Sequence, residues 1–424
     1  MNVLRSRREV SADRYSVLRL ARHALARHRG WREVWRKAAP KPAYDVVVVG
    51  GGGHGLATAY YLAREHGMRN VAVLERGWIG GGNTGRNTTI IRSNYMHPSN
   101  AAFFEFSLKL WEQLSQTLNY NLMFSQRGVV YLTHGLHELS AARQRANAMR
   151  LAGIDAEILD RARLARMLPG LDLSPTARFP VNGALLQRRG GVAHHDAVAW
   201  AYARAADRLG VDIVENCEVT GFSRDGERIV AIDTTRGRIV AKTVAIAVAG
   251  NSSVLGELAG IRLPVQSINI QALVSEPVKP ILDPVVASAP LRVYLSQTGK
   301  GEIVFGSADD GYPSYAQGVS PFLPQDVLAG AVAMFPAFSR LRIMRQWAGT
   351  ADMTPDGAPI IGPTPIRNLM INGGWCYHGF KAIPASGFAF AHTIAQGSPH
   401  PLIQAYGLDR FSTGRLVRER GAGH

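Results

Sequence analysis

The sequence predicts an α/β plus α+β fold, a Rossmann-like nucleotide-binding domain interleaved with an antiparallel-sheet substrate domain. Three observations carry this. A strand, a glycine turn, a helix and a second strand follow one another within residues 46–75. A later apolar run, VAIAVAG at 244–250, has the small-residue ending of a further strand in the same sheet. Residues 263–350 are strand-rich and alternate, as a sheet with one buried face requires. A length of 424 residues also exceeds one ordinary core and suits two domains.

The first unit is the most specific. VVVVGGGGHG (46–55) sets four valines before the glycines, and the spacing G-x-G-x-x-G falls on Gly50, Gly52 and Gly55, with Gly51 between the first two. One glycine permits the turn, the second lets backbone approach a pyrophosphate, and the third lets helix pack on strand. The helix start offers N–H groups and partial positive charge to the anion. Leu56, Ala59, Tyr60 and Ala63 recur at helical spacing. The next strand, VAVLE, ends in Glu75, whose carboxylate can accept from ribose hydroxyls and would repel a 2′-phosphate. An adenine dinucleotide is implied; which one stays open at this point.

The glycine-dense loop after Glu75, GWIGGGNTGRNTTIIRSNY, is too poor in core formers to be structural filling. It reads as the lining of a cofactor edge, with Arg76, Asn83, Thr84, Thr89 and Ile90 as contacts. Residues 99–119 read as a helix with Phe103, Phe106, Leu110, Leu114 and Leu118 on one side, 128–134 as a strand, and 138–153 as an amphipathic helix closed by Gly153. The stretch 196–210 reads as a helix capped by Asp196 and Gly210. A hairpin is expected around Thr298–Gly301, a strand at NLMINGG, and a loop feeding a helix in WCYHGFKAIPASG. The expected division is a nucleotide-binding domain of 41–127, 188–262 and 354–409, and a substrate domain of 128–187 and 263–353.

Composition narrows the function classes. No apolar run approaches the roughly eighteen residues of a membrane helix. The first residues lack a secretory h-region and cleavage site, so a cytoplasmic location is expected. Two cysteines, Cys217 and Cys376, with no CxxC, argue against a disulfide framework or a thiolate metal site, and no metal is expected. Residues 1–40 carry eleven Lys and Arg against three Asp and Glu, which places half of the net charge of +16 there. Trp31, Trp35 and Tyr15 lie among those arginines, a mixture that suits a docking arm for a partner subunit better than nucleic acid. Residues 410–424 read as a short basic tail.

Taken together, GGGGHGLATAYYL, VLERGWIGGGNTGRNTTIIR, GGVAHHDAVAW, VAIAVAGNSS and GWCYHGFKAIPASG resemble the glycine-oxidase/sarcosine-oxidase family of FAD-dependent amine oxidoreductases, and within it the β-type subunits of heterotetrameric members. The likeness runs from Tyr15 to Leu416. It implies noncovalent FAD on Gly50–Gly55 and Glu75, a backbone contact to adenine near Val219, and closure by Ala249–Gly250 and Gly379–Lys381. It further implies FMN attached covalently to His195, which directly precedes Asp-Ala-Val-Ala-Trp. His194 stands where the family usually has a non-histidine residue, so two imidazoles compete, and the family position favours His195. Implied partners are α, γ and δ subunits, with tetrahydrofolate reached through one of them. The implied substrate is a small secondary amino acid, sarcosine or, in a rival reading, N-methylglutamate.

For such a substrate, Arg92 offers a rigid guanidinium fork to the carboxylate. Lys381 would partner the carboxylate or the reduced flavin, and His378 would bond at the flavin face. Single-chain relatives carry an arginine at the position of Thr89. Two readings of other classes are an RNA-acting FAD enzyme, suggested by the charge, and a flavin-bearing scaffold without a substrate site.

Overall fold

The computed structural model describes residues 16–27, 29 and 33–419, so Tyr15 and Trp31 lie outside the described residues. Two eight-stranded sheets organise it. The first is built on Ala43–Val49, which pairs in parallel with Val71–Leu74 on one side and Gly237–Ile246 on the other. Val47 lies opposite both Ala72 and Val244, and all three are fully buried. The sheet extends to Asp212–Val214 at one end and to Leu369–Gly373 and Ile360–Pro363 at the other. A strand buried on both faces reads as an unbroken apolar run, which is why VVVV and VAIAVAG lack alternation.

The helices Gly53–Glu65, Pro98–Thr117, His195–Arg208 and Gly379–Gln396 share one apolar core against this sheet. The first and last approach closely, because a Cβ on Gly387 would come within 2.5 Å of the Ala57 methyl. Leu56, Ala59, Tyr60 and Ala63 are all buried, as their spacing implies.

The second sheet takes its strands from two stretches, 129–187 and 266–353, and runs from Ile343–Met353 to Glu157–Leu159. It is antiparallel except where Val285–Ser288 pairs in parallel with Val129–Thr133. The hairpin around Thr298–Gly301 is present, with Leu295 opposite Phe305. A helix, Leu323–Met334, lies inside the stretch read as strands. Its buried Val327, Gly330, Ala331 and Met334 sit at helical spacing and cover the outer face.

Two other expectations are corrected, and the basic arm gains an anchor. The helix after His194 begins one residue early, and its N-cap is His194, whose side chain accepts from the Ala197 N–H, so Asp196 lies in the first turn. The inner end of the basic arm is fastened to the body: Arg36 Nε meets Asp207 at 2.7 Å, Lys41 Nζ meets Asp212 at 2.6 Å and Trp35 Nε1 donates to Glu215. Residues 410–419 do not trail as a tail, because Arg410 is buried in a bidentate pair with Asp356 and Glu419 accepts from the Met96 and His97 backbone. Among the described residues no helix is long and apolar enough to cross a membrane.

Candidate functional site: a nucleotide cradle joined to a cationic pocket

The turn after the first strand shows why glycine is required there. Gly50 has φ +114, and a Cβ on it would meet the Ala247 carbonyl at 2.3 Å. A Cβ on Gly55 would lie 2.0 Å from the Gly50 carbonyl. Neither side can yield, since both obstacles are backbone. Glu75 holds the turn from the next strand, accepting from Gly51 N and Gly77 N, each at 2.8 Å. Each carboxylate oxygen keeps further lone-pair capacity for a ribose hydroxyl. Thr84 accepts from Gly53 N at 3.0 Å and thereby ties the glycine-dense loop to the helix start.

This cradle opens into a cavity of about 820 Å³ that continues to the face of the second sheet. Gly50, Gly52, Glu75, Arg76, Asn83, Thr84, Ile90, Val219 and Ala249 line it, as do Arg92, His378, Gly379 and Lys381. Gly51, Gly55, Thr89 and Gly250 stand behind the wall instead. Asn83 has its amide committed to both backbone groups of Thr350. Thr89 has φ +68 and accepts from Ala193 N at 3.2 Å, whereas its neighbour Thr88 reaches the wall and bonds the Tyr294 hydroxyl.

The far end of the cavity is cationic. Arg92 is 9% exposed and Lys381 6%. Arg92 Nη1 donates to Asn94 Oδ1 at 2.6 Å, and its guanidinium lies 4.7 Å from the Tyr95 ring centre and 5.7 Å from that of Tyr131. Lys381 Nζ donates to the Tyr377 carbonyl at 3.1 Å. Among the described residues neither cation has a carboxylate partner within ion-pair distance. Burial, reinforced by the charge of Arg92, holds the Lys381 ammonium well below its usual range. Buried charges without counter-ions are costly. The pocket is therefore poised for an anion.

Aromatic groups and the carboxylates of Asp309 and Asp352 complete the wall. His378 Nδ1 bonds the Tyr95 hydroxyl at 2.9 Å. Tyr131 and Tyr294 project from the second sheet, and Tyr377 donates to Asp309. His54 stacks on Trp375 at 4.6 Å, and burial pushes its pKa down to about 3. Burial raises Asp352 to about 6, against the backbone N–H groups that it accepts from. The tyrosines, His54 and Asp352 escaped the sequence reading; GVVYLTH marks Tyr131 only as an alternating strand residue.

His195 lies outside this cavity, at the start of the helix His195–Arg208 and 26% exposed. The chain links the two places directly: Ile90–Ile91 pairs with Gly191–Val192, three residues before His195.

Residues 45–393 match the family described as "FAD dependent oxidoreductase". The chain belongs to that family. Within it, the chain is 55% identical to a sarcosine oxidase subunit β from Rhizobium meliloti (strain 1021) over 97% of this chain and 98% of that one. It is 51% identical to a protein of the same name from Arthrobacter sp, over 92% and 96%. Among solved structures, L-proline dehydrogenase from P. horikoshii covers 89% of this chain with all of its own, at 28% identity and a TM-score of 0.83. Glycine oxidase from Geobacillus kaustophilus, at 22% identity and a TM-score of 0.78, shares the fold. The chain is accordingly an amine-oxidising flavoenzyme, grouped with the sarcosine oxidase β subunits.

Proposed function

We propose that this chain oxidises the N-methyl group of sarcosine, yielding glycine, as the β subunit of a complex with α, γ and δ subunits. One observation carries the substrate reading: among the described residues Arg92 and Lys381 are buried with no carboxylate within ion-pair distance, in the cavity that the cradle opens into. A substrate carboxylate completes both. The guanidinium fixes its plane, and Lys381 adds a point charge. Tyr131, Tyr294 and His378 bound the remaining space and exclude water from the amine. The depressed Lys381 is tuned to regain its proton when an anion arrives.

When bound, FAD would supply a sink for the hydride of the N-methyl carbon and FMN an outlet to dioxygen. Noncovalent FAD fits because Gly50, Gly52 and Gly53 present side-chain-free backbone to the cavity and Glu75 faces it. A covalent FMN fits His195, which is reachable from outside the FAD cavity. The imine product would then hydrolyse or pass to tetrahydrofolate on a partner subunit. A cytoplasmic location belongs to the same proposal.

N-methylglutamate is the second reading, favoured by Arg292, an exposed cation on the cavity wall that would meet a distal carboxylate. Anaerobic titration of the purified complex with sarcosine, N-methylglutamate and dimethylglycine, following flavin absorbance, separates these. Bleaching by sarcosine at the lowest concentration is expected, and bleaching by none of the three removes the amine-site assignment.

A further inference from the structure

The neighbouring imidazoles His194 and His195 are held in opposite tautomers. His194 Nδ1 accepts the Ala197 N–H at 3.4 Å, as the cap of the following helix. A ring nitrogen that accepts carries no proton, so a neutral His194 has its proton on Nε2. His195 is reversed. Its Nδ1 lies 3.0 Å from Asp196 Oδ1, and an ionised carboxylate only accepts, so Nδ1 donates and Nε2 retains the lone pair. The rings are 5.2 Å apart and both are half-buried, so proximity alone does not choose between them. The hydrogen-bond partners do.

We infer that Asp196 is a positioning residue that makes His195 Nε2, and not His194, the anchor of the second flavin. This rests on the covalent FMN reading proposed above. The bond formed joins His195 Nε2 to the carbon of the flavin 8-methyl group, and the bond broken is one C–H of that methyl. Its proton leaves to solvent. The Nδ1 proton, made acidic once Nε2 is alkylated, passes to the Asp196 carboxylate and on to solvent. The two electrons reside on the flavin until dioxygen takes them with two protons as hydrogen peroxide. Asp196 thus fixes the tautomer before attachment and receives the proton that attachment releases. His194 holds the helix start and stays unmodified.

The test uses the co-purified complex from riboflavin-limited cells, loaded with FMN, with the flavin mass adduct on this chain followed over time. Asp196→Ala slows attachment by about ten- to a hundredfold, taken from the range seen when the carboxylate partner of a metal-ligating histidine is removed. Asp196→Glu restores much of the rate, and His194→Asn, which keeps a capping side chain, leaves it unchanged. An Asp196→Ala complex that attaches at the wild-type rate, or an adduct on the His194 position, overturns the assignment.

A second readout needs no flavin. Diethyl pyrocarbonate acylates unprotonated imidazole nitrogens, and peptide mapping of the flavin-free complex should show His195 modified faster than His194, with Asp196→Ala slowing His195 alone. Should Asp196→Ala disturb folding, Asp196→Asn, which drops the charge and keeps an acceptor oxygen, gives an intermediate rate. Absence of any adduct on the wild type refutes the covalent reading and the anchoring role together. Equal acylation of the two histidines refutes the tautomer assignment by itself.

Discussion

The nucleotide cradle and the cationic pocket occupy two ends of one cavity, yet they are made differently. The cradle is mostly backbone: Gly50 and Gly55 matter because any side chain would strike a carbonyl oxygen, and Glu75 is held by two N–H groups. The pocket is mostly side chains drawn from distant segments, with Arg92 from the glycine-dense loop, Tyr131 and Tyr294 from the second sheet, and Lys381 from the last long helix. Backbone recognition accepts a dinucleotide through shape and leaves little to tune. On the proposed reading, side-chain recognition sets which small acid is oxidised.

The largest break in that comparison is Gly55→Ala. With a new methyl 2.0 Å from the Gly50 carbonyl, the turn cannot keep its shape, and the purified chain should lose FAD altogether, read as loss of yellow colour and of FAD on extraction. Arg92→Ala should do the opposite, keeping FAD while weakening sarcosine by about 2–5 kcal/mol, the usual loss when one member of a buried hydrogen-bonded charge pair is truncated. Arg92→Lys should recover part of this, because an ammonium keeps the charge but not the fork. Substrate titration with an intact flavin spectrum reads both.

Lys381 sharpens the comparison through protons. Burial and the Arg92 charge depress its pKa in the free protein, and a bound carboxylate raises it. Between the depressed and the raised value, binding takes up a proton, so affinity falls as pH rises through that window. Calorimetry of a carboxylate inhibitor in two buffers of different ionisation enthalpy measures the uptake, and Lys381→Met should abolish it.

His54 tests the cradle side. Its folded pKa, about 3, lies below its unfolded value, so its contribution to stability is present above roughly pH 6.5 and declines as the pH falls through that range toward the folded value. His54→Gln should flatten the acid limb of a stability–pH curve. The smallest effect is expected at the arm: Arg36→Ala removes a pair between a half-exposed arginine and Asp207, worth about 1 kcal/mol, and thermal denaturation should shift accordingly little.

How legible each part was follows from the same contrast. The cradle depends on short-range spacing, so VVVVGGGGHG and Glu75 identify it from sequence. Arg92 and Lys381 were found because the resemblance puts their segments beside the flavin and a carboxylate substrate needs fixed cations there. The tyrosines were not, since strand alternation says which face a residue occupies and not what it faces across the cavity. Thr89 illustrates the converse: the loop was recognised, but a positive φ turns this residue to the Ala193 side and puts Thr88 on the wall. The helix Leu323–Met334 was missed because a short apolar run within strands fits either period. The His194 cap was missed because Asp196 is the commoner capping type, and only the bond to Ala197 decides it.

The most direct test mixes the complex with sarcosine in the absence of oxygen, side by side with its Arg92→Ala form carrying equal FAD. The wild-type flavin should lose its visible absorbance rapidly, while the variant needs far more sarcosine for the same change. Equal sarcosine dependence in both, with full FAD in each, would contradict the joining of cradle and cationic pocket into one amine-oxidising site.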